Sequence, residues 1–159
     1  VYVDSSYVTN INIGETFTLS IAIDNVTDLF AWQFGMTFNA EVLECVTVDI
    51  MTFNEEGNIV SGVSAFKEGP FLKQGGGTFF VAPPTIYDGE GIILCHGCSL
   101  YPINTTVTPV SGSGILAYVT FKVVGQGEST VHLTDAMLLN NEGLVIPILN
   151  IEDGQIKAS

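Results

Sequence analysis

The chain has 159 residues, 47% of them apolar and only 13% charged, which is too apolar for a disordered segment and enough for one sizeable core. Its 17 acidic residues stand against four lysines and no arginine, a net charge of −13, so a phosphate backbone would be repelled and nucleic acid is excluded as a partner. No apolar run reaches the roughly 18 residues that a membrane-spanning helix needs.

Taken in chain order, Val1 to Val8 reads as a first strand of the fold or, if it leaves its own sheet, as a segment that completes a neighbour's sheet through main-chain hydrogen bonds. Two strong strands follow. Phe17, Leu19, Ile21 and Ile23 fall on one face of the first; Trp32, Phe34, Met36 and Phe38 fall on one face of the second. Asn39-Ala40-Glu41 breaks the alternation as a turn, and Val42 to Val48 resumes it. Ile59 to Phe66, Thr78 to Val81 and Ile92 to Leu100 are strand segments in a middle third punctuated by Gly75-Gly-Gly77 and Pro83-Pro84. Ile115 to Val124, Ser129 to Leu133, Met137 to Leu139, Leu144 to Ile148 and Gly154 to Lys157 complete the set, with turns at Gly125-Gln-Gly127 and Asn140-Asn-Glu-Gly143. No window shows a capped 3.6-residue period. The expected fold is an all-β antiparallel sandwich or jelly roll of about nine to ten strands, a single domain over residues 1–159, with Trp32, Phe34, Phe38 and Phe121 in its core.

Three stretches carry a family resemblance. They are Gly14-Glu-Thr-Phe-Thr-Leu-Ser-Ile-Ala-Ile23, Trp32-Gln-Phe-Gly-Met-Thr-Phe-Asn-Ala-Glu-Val-Leu43 and Gly114-Ile-Leu-Ala-Tyr-Val-Thr-Phe-Lys-Val123, followed in order by Gly127-Glu-Ser-Thr-Val131, Asn141-Glu-Gly143 and Gly154-Gln-Ile156. Together they resemble the cohesin family, the β-sandwich modules that bind dockerins in cellulosomes and in some archaeal and bacterial surface proteins. The resemblance spans roughly the first 50 and the last 45 residues, and it implies the sandwich and a dockerin-like protein partner contacted largely from the middle strands. Asn39-Ala40 stands where cohesins usually carry Asp-Pro, and residues 50 to 110 have no counterpart.

Cys95-His-Gly-Cys98 has the spacing of a metal or redox pair, and with Cys45 as an odd third cysteine the favoured reading is disulfide chemistry, with bound metal or free thiols as alternatives. A zinc site would want a second pair, and a haem motif would want His where Ser99 stands. Catalytic arrangements are missing: His96 and His132 are the only histidines, and no Gly-x-Ser-x-Gly elbow occurs. Paired acids such as Asp88 with Glu90, or Asp24 with Asp28, read as loop charges sooner than as a glycosidase pair. No cofactor is required; the acids are better candidates for Ca²⁺, and Asp88 with Glu90, Glu55 with Glu56 and Glu152 with Asp153 are the candidate ligand pairs. Asn25 and Asn104 head Asn-x-Thr sequons that would accept glycans on a secreted protein.

The start at Val1, without initiator Met or basic leader, matches a mature secreted chain, so an extracellular or cell-surface place is expected. Within that setting the leading functional expectation is a non-enzymatic structural subunit that assembles with copies of itself into a filament, tube or sheath. The alternative is a cohesin-type receptor for a dockerin-bearing partner. A third reading is a carbohydrate-binding module using Trp32, Tyr87, Tyr101 or Tyr118 as stacking platforms.

Overall fold

The structure, a computed structural model, describes residues 1–4, 7–53, 56–80, 86–101 and 106–159. It is organised by one strand. After β1 (Tyr2–Asp4) and β2 (Tyr7–Ile11), β3 runs without interruption over Thr16–Thr37. Fully straight, its 22 residues would span about 70 Å, whereas a compact chain of this length has a radius of gyration near 15 Å, so the strand must bend. Asn25 and Asp28, with φ of 54° and 53°, supply the bend. The burial pattern shows it: Leu19, Ile21 and Ile23 are buried at a spacing of two, then Val26, Leu29 and Trp32 at a spacing of three, then Phe34 and Met36 at two again. The two strands expected from the alternation are therefore one strand that changes layer. Its break carries turn-forming residues, but their left-handed conformations rotate the strand instead of ending it.

Each half of β3 organises a layer. The first half pairs with β1 and with β11 (Val110–Val123), whose other edge takes β4 (Leu43–Val46) and β7 (Phe66–Glu68). The second half lies between β10 (Ile92–Leu100) and β12 (Gly127–Asn140). From β10 that layer continues through β8 (Thr78–Phe80) to β5 (Val48–Phe53) and β6 (Ile59–Ser64), with the two-residue β9 (Ile86–Tyr87) beside the start of β10. Past β12 lie β13 (Val145–Ile146) and β14 (Gly154–Ala158), and β14 takes β2 in parallel. The strand segments among the described residues outnumber the nine or ten expected, because short pieces such as β7, β9 and β13 carry too few residues to show a period. Conversely, the segments expected at Ser129–Leu133 and Met137–Leu139 are both parts of β12. The fold is an all-β sandwich with one four-residue helix, α1 (Pro70–Lys73), which buries Phe71 and Leu72.

Val1 to Val8 takes the first of its two expected roles. Tyr2, Val3 and Asp4 pair with Ala22, Ile21 and Ser20, and Tyr7 and Val8 pair with Gln155 and Ile156. Both strands therefore pair within the chain, β1 on β3 and β2 on β14, with β2 standing at the end of the sheet.

Between the layers Trp32, Phe34, Phe38 and Phe121 are buried. Trp32 stacks on Phe34 with ring centroids 4.6 Å apart, Phe34 meets Phe66 edge to face at 5.0 Å, and Phe38 meets Phe121 at 5.0 Å. His96 is also buried, its Nδ1 3.1 Å from the Ser64 hydroxyl and its Nε2 without a hydrogen-bond partner.

Two consequences are measurable. Trp32→Ala removes a ring packed against Phe34 and Phe80, and is expected to cost about 3 to 5 kcal/mol in denaturant unfolding; a change below about 1 kcal/mol would place Trp32 outside the core. Burial pushes the His96 imidazole down from 6.5 to about 4. The unfolded chain then binds this proton first as pH falls, so stability that is intact above pH 6.5 drains away between pH 6.5 and about 4. Thermal melts across that window should fall more steeply for the wild type than for His96→Gln; parallel curves would refute the buried neutral ring.

Candidate partner-binding face

The alternation that buries Trp32, Phe34 and Met36 turns Ala31, Gln33, Gly35 and Thr37 to the opposite face of the β12–β3–β10–β8 layer. Strand register extends these positions into rows. Leu139 lies beside Ala31, Ala31 beside Ser99, and Ser99 beside Phe79; in the next row Met137, Gln33 and Gly97 are neighbours. Phe79 packs edge to face on Tyr101 at 5.3 Å, and Tyr101 is 43% exposed. Across β5 and β6 the same side carries Asp49, Met51, Ile59, Ser61 and Val63, with Met51, Ile59 and Val63 all exposed. The result is a broad face of small residues at the centre with apolar flanks.

Charge is nearly absent from it. Residues 29–37, 78–80, 92–100 and 59–64 contain no Asp, Glu, Lys or Arg, while 48–53 contribute Asp49 and 132–140 contribute Asp135. In a chain of net charge −13, the acids have been placed elsewhere.

The centre of the face is irregular in a defined way. Register slips between Ile93 and His96 on β10 and between Thr134 and Met137 on β12, so a bulge stands on each side of Gly35. A Cβ on Gly35 would come within 2.7 Å of both the Ile93 carbonyl and the Thr134 hydroxyl, which is why the residue there is glycine. Asp135, in the β12 bulge, is exposed at φ 50°, and its carbonyl accepts a 3.3 Å hydrogen bond from Gln33 Nε2. Neither bulge was read from the sequence, although a signal exists: the buried positions run Val131, Leu133, then Leu138, and Ile93, then His96, Cys98, Leu100, each changing from odd to even.

The other candidate residues are dispersed. The disulfide expected of Cys95 and Cys98 does not form, and Cys45, Cys95 and Cys98 are free thiols. Three steps along a strand separate Cα atoms by about 10 Å, beyond the reach of a disulfide, and Cys98 is buried while Cys95 is half-buried at the bulge beside Gly35. Burial, with a smaller push from Asp88, raises the Cys45 thiol to about 12; burial also raises Cys98, and burial with the nearby Asp135 carboxylate raises Cys95.

Among the paired acids, Asp88 Oδ1 accepts the Cys45 N–H at 2.8 Å. Asp153 binds His132 Nδ1 at 2.8 Å, and Glu152 accepts from the Asn150 amide at 2.9 Å. Glu90 and Glu56 are exposed, and Glu55 lies outside the described residues. Among the described residues no three metal-ligating side chains meet. Asn25 is exposed at the β3 bend with its N–H on the Ser113 hydroxyl, and Asn104 lies outside the described residues. Trp32, at 1% exposure, is no stacking platform. Asp24 and Asp28 flank the β3 bend and Tyr87 is exposed on β9. No helix among the described residues is long and apolar enough to cross a membrane.

The sequence matches no protein-family model and no curated protein. Its structure does match solved ones. A type II cohesin domain from the cellulosome of Acetivibrio cellulolyticus superposes with a TM-score of 0.69 at 19% identity, covering 97% of this chain and 91% of that one. A non-cellulosomal cohesin from the archaeon Archaeoglobus fulgidus gives 0.66 at 14% identity, covering 99% and 88%. A type I cohesin–dockerin complex from Clostridium thermocellum gives 0.65 at 10% identity, covering 99% and 96%. The chain has the cohesin fold.

The cysteine geometry makes its own prediction. A thiol reagent should label the native protein at Cys95 alone and label all three cysteines in denaturant, with or without prior reduction. Recovery of an additional thiol only after reduction would restore the disulfide.

Proposed function

We propose that this chain is a cohesin-type receptor: a non-enzymatic, extracellular module that captures a dockerin-bearing protein on the outer face of β12, β3, β10 and β8. The observation that carries the reading is the broad, nearly uncharged face on a strongly acidic sandwich of cohesin fold. Covering neutral, small and apolar side chains removes few hydration shells, whereas covering carboxylates would require each to find a partner. One structure sharing the fold is a cohesin–dockerin complex, which supports the same reading. The face also draws on the middle strands, where the sequence resemblance led a partner to be expected.

Self-assembly receives less support, since the N-terminal strands that could have reached a neighbour are paired at home. The carbohydrate reading loses its tryptophan to the core. An enzymatic reading lacks an accessible site in either histidine: His96 is sealed beside Ser64, and exposed His132 is bonded to Asp153.

Calorimetry against dockerin modules encoded in the same genome tests the proposal. A one-to-one complex is expected with at least one of them. Ala31→Lys, which would bury an unpaired charge at the centre of the contact, should weaken it by about two orders of magnitude or more without altering the melting temperature. No binding to any dockerin, together with particles much larger than 17.0 kDa in light scattering of the chain alone, would reject the receptor in favour of self-assembly.

A further inference from the structure

The receptor reading leaves open what distinguishes the right partner from others on so neutral a surface. Asp135 is the one charged side chain in the segments 29–37, 78–80, 92–100 and 132–140 that make up the centre of the face. Asp49, the other acid on this side, lies on β5, four strands and roughly 19 Å away. Its presentation is built. The bulge in β12 inserts residues between Thr134 and Met137, and Asp135 takes up the left-handed conformation at φ 50°, a region that residues other than glycine seldom adopt. Gln33, from the neighbouring strand, holds the Asp135 carbonyl through its amide, which ties the bulge to β3. On the far side of Gly35 the second bulge brings Cys95 close enough to feel the Asp135 carboxylate. Gly35 itself leaves no side chain between them, because the Ile93 carbonyl and the Thr134 hydroxyl occupy the space a Cβ would need.

Among the described residues nothing neutralises this carboxylate: no hydrogen bond or ion pair reaches its side chain. The four lysines are committed elsewhere: Lys67 and Lys73 line a cleft of about 580 Å³ between β5, β8, β7 and α1, Lys122 is on β11, and Lys157 on β14 faces Glu128. In water the exposed carboxylate is comfortable; under a partner it would lose its hydration with no compensation from its own chain.

We infer that Asp135 is the specificity-determining charge of the receptor face, and that it selects a partner presenting a lysine or arginine at the centre of its contact surface. This rests on the receptor function proposed above. A partner with an apolar or acidic residue at that point leaves the carboxylate buried and unpaired, so the same group that attracts the right surface excludes the wrong one. Exposed in the bulge beside Gly35, that charge lies where a partner's basic side chain can reach it.

The test uses the dockerin that binds the wild-type chain, titrated into Asp135→Asn, Asp135→Gly and Glu44→Gln, an exposed acid on β4 in the opposite layer. Glycine accepts the left-handed conformation and asparagine tolerates it, so both variants should melt within a few degrees of the wild type. Both should bind roughly tenfold or more weakly, while Glu44→Gln stays within about twofold. Binding by Asp135→Asn should also depend less on salt between about 50 and 500 mM NaCl than binding by the wild type. A charge swap supplies the positive readout: Asp135→Lys should lose the partner and regain it when the partner's central basic residue is changed to Glu. Asp135→Asn binding within twofold of wild type, or an unchanged salt dependence, overturns the inference and leaves the receptor intact. A wild-type chain that binds no dockerin removes both.

Discussion

Both layers of the sandwich hang on the bend in β3, and the bend is held by two hydroxyls. The Asn25 N–H donates to Ser113 Oγ at 3.0 Å and the Asp28 N–H to Ser111 Oγ at 2.9 Å. A strand that rotates out of its sheet leaves main-chain donors without ladder partners, and Ser111 and Ser113 on β11 supply what the ladder withdraws. The rotation also sets which side chains meet. Leu19, Ile21 and Ile23 face inward from one layer and Trp32, Phe34 and Met36 from the other, so one continuous strand contributes both walls of the core. Val26, between the two left-handed residues, and Leu29, directly after the second, are buried as well, so the corner is packed and not hollow.

The outer face of the second layer follows from the same periodicity. Once Trp32, Phe34 and Met36 must point inward, the residues between them are outward by geometry, and here they are Ala31, Gln33, Gly35 and Thr37. Their small size and lack of charge have no benefit for the core. An acidic protein would be expected to spread some carboxylates over so large a solvent-facing surface, and the described strands there concentrate the exception in Asp135 and Asp49. The neutrality of the face and the bulges around Gly35 are thus two parts of one surface: a largely neutral face with the Asp135 carboxylate exposed beside its middle and Asp49 on its flank.

The polar groups that drew notice in the sequence do structural work. Asp88 holds the β4 backbone at Cys45, Asp153 bonds both His132 and the Leu133 N–H, and His96 fills core volume beside Phe66. Cys95-His-Gly-Cys98 looked like a chemical motif because its spacing is compact in sequence. An extended strand pulls such residues apart, and the β10 bulge sends one thiol to the half-buried outer side while the other stays in the core. Residue spacing measures distance along the chain, and it indicates proximity in space only once the local structure is known.

Sequence alone determined the class of the fold and most strand positions, because burying one face of a strand imposes a period of two that can be read directly in Phe17 to Ile23, Trp32 to Phe38 and Ile115 to Val123. It also identified Trp32, Phe34, Phe38 and Phe121 as core candidates, since large apolar side chains in phase have few other places to go. Tertiary structure decided what periodicity does not encode. It joined two strands into β3, whose left-handed Asn25 and Asp28, in the stretch between them, turn the strand. It fused two segments into β12 and put Asp135 at the bulge between them, and it assembled a face from strands that are distant in the chain, with Ala31, Phe79, Ser99 and Leu139 in one row. A row of that kind is a property of register across four strands. Register is set by which inner faces pack together, so no single stretch of the chain contains it.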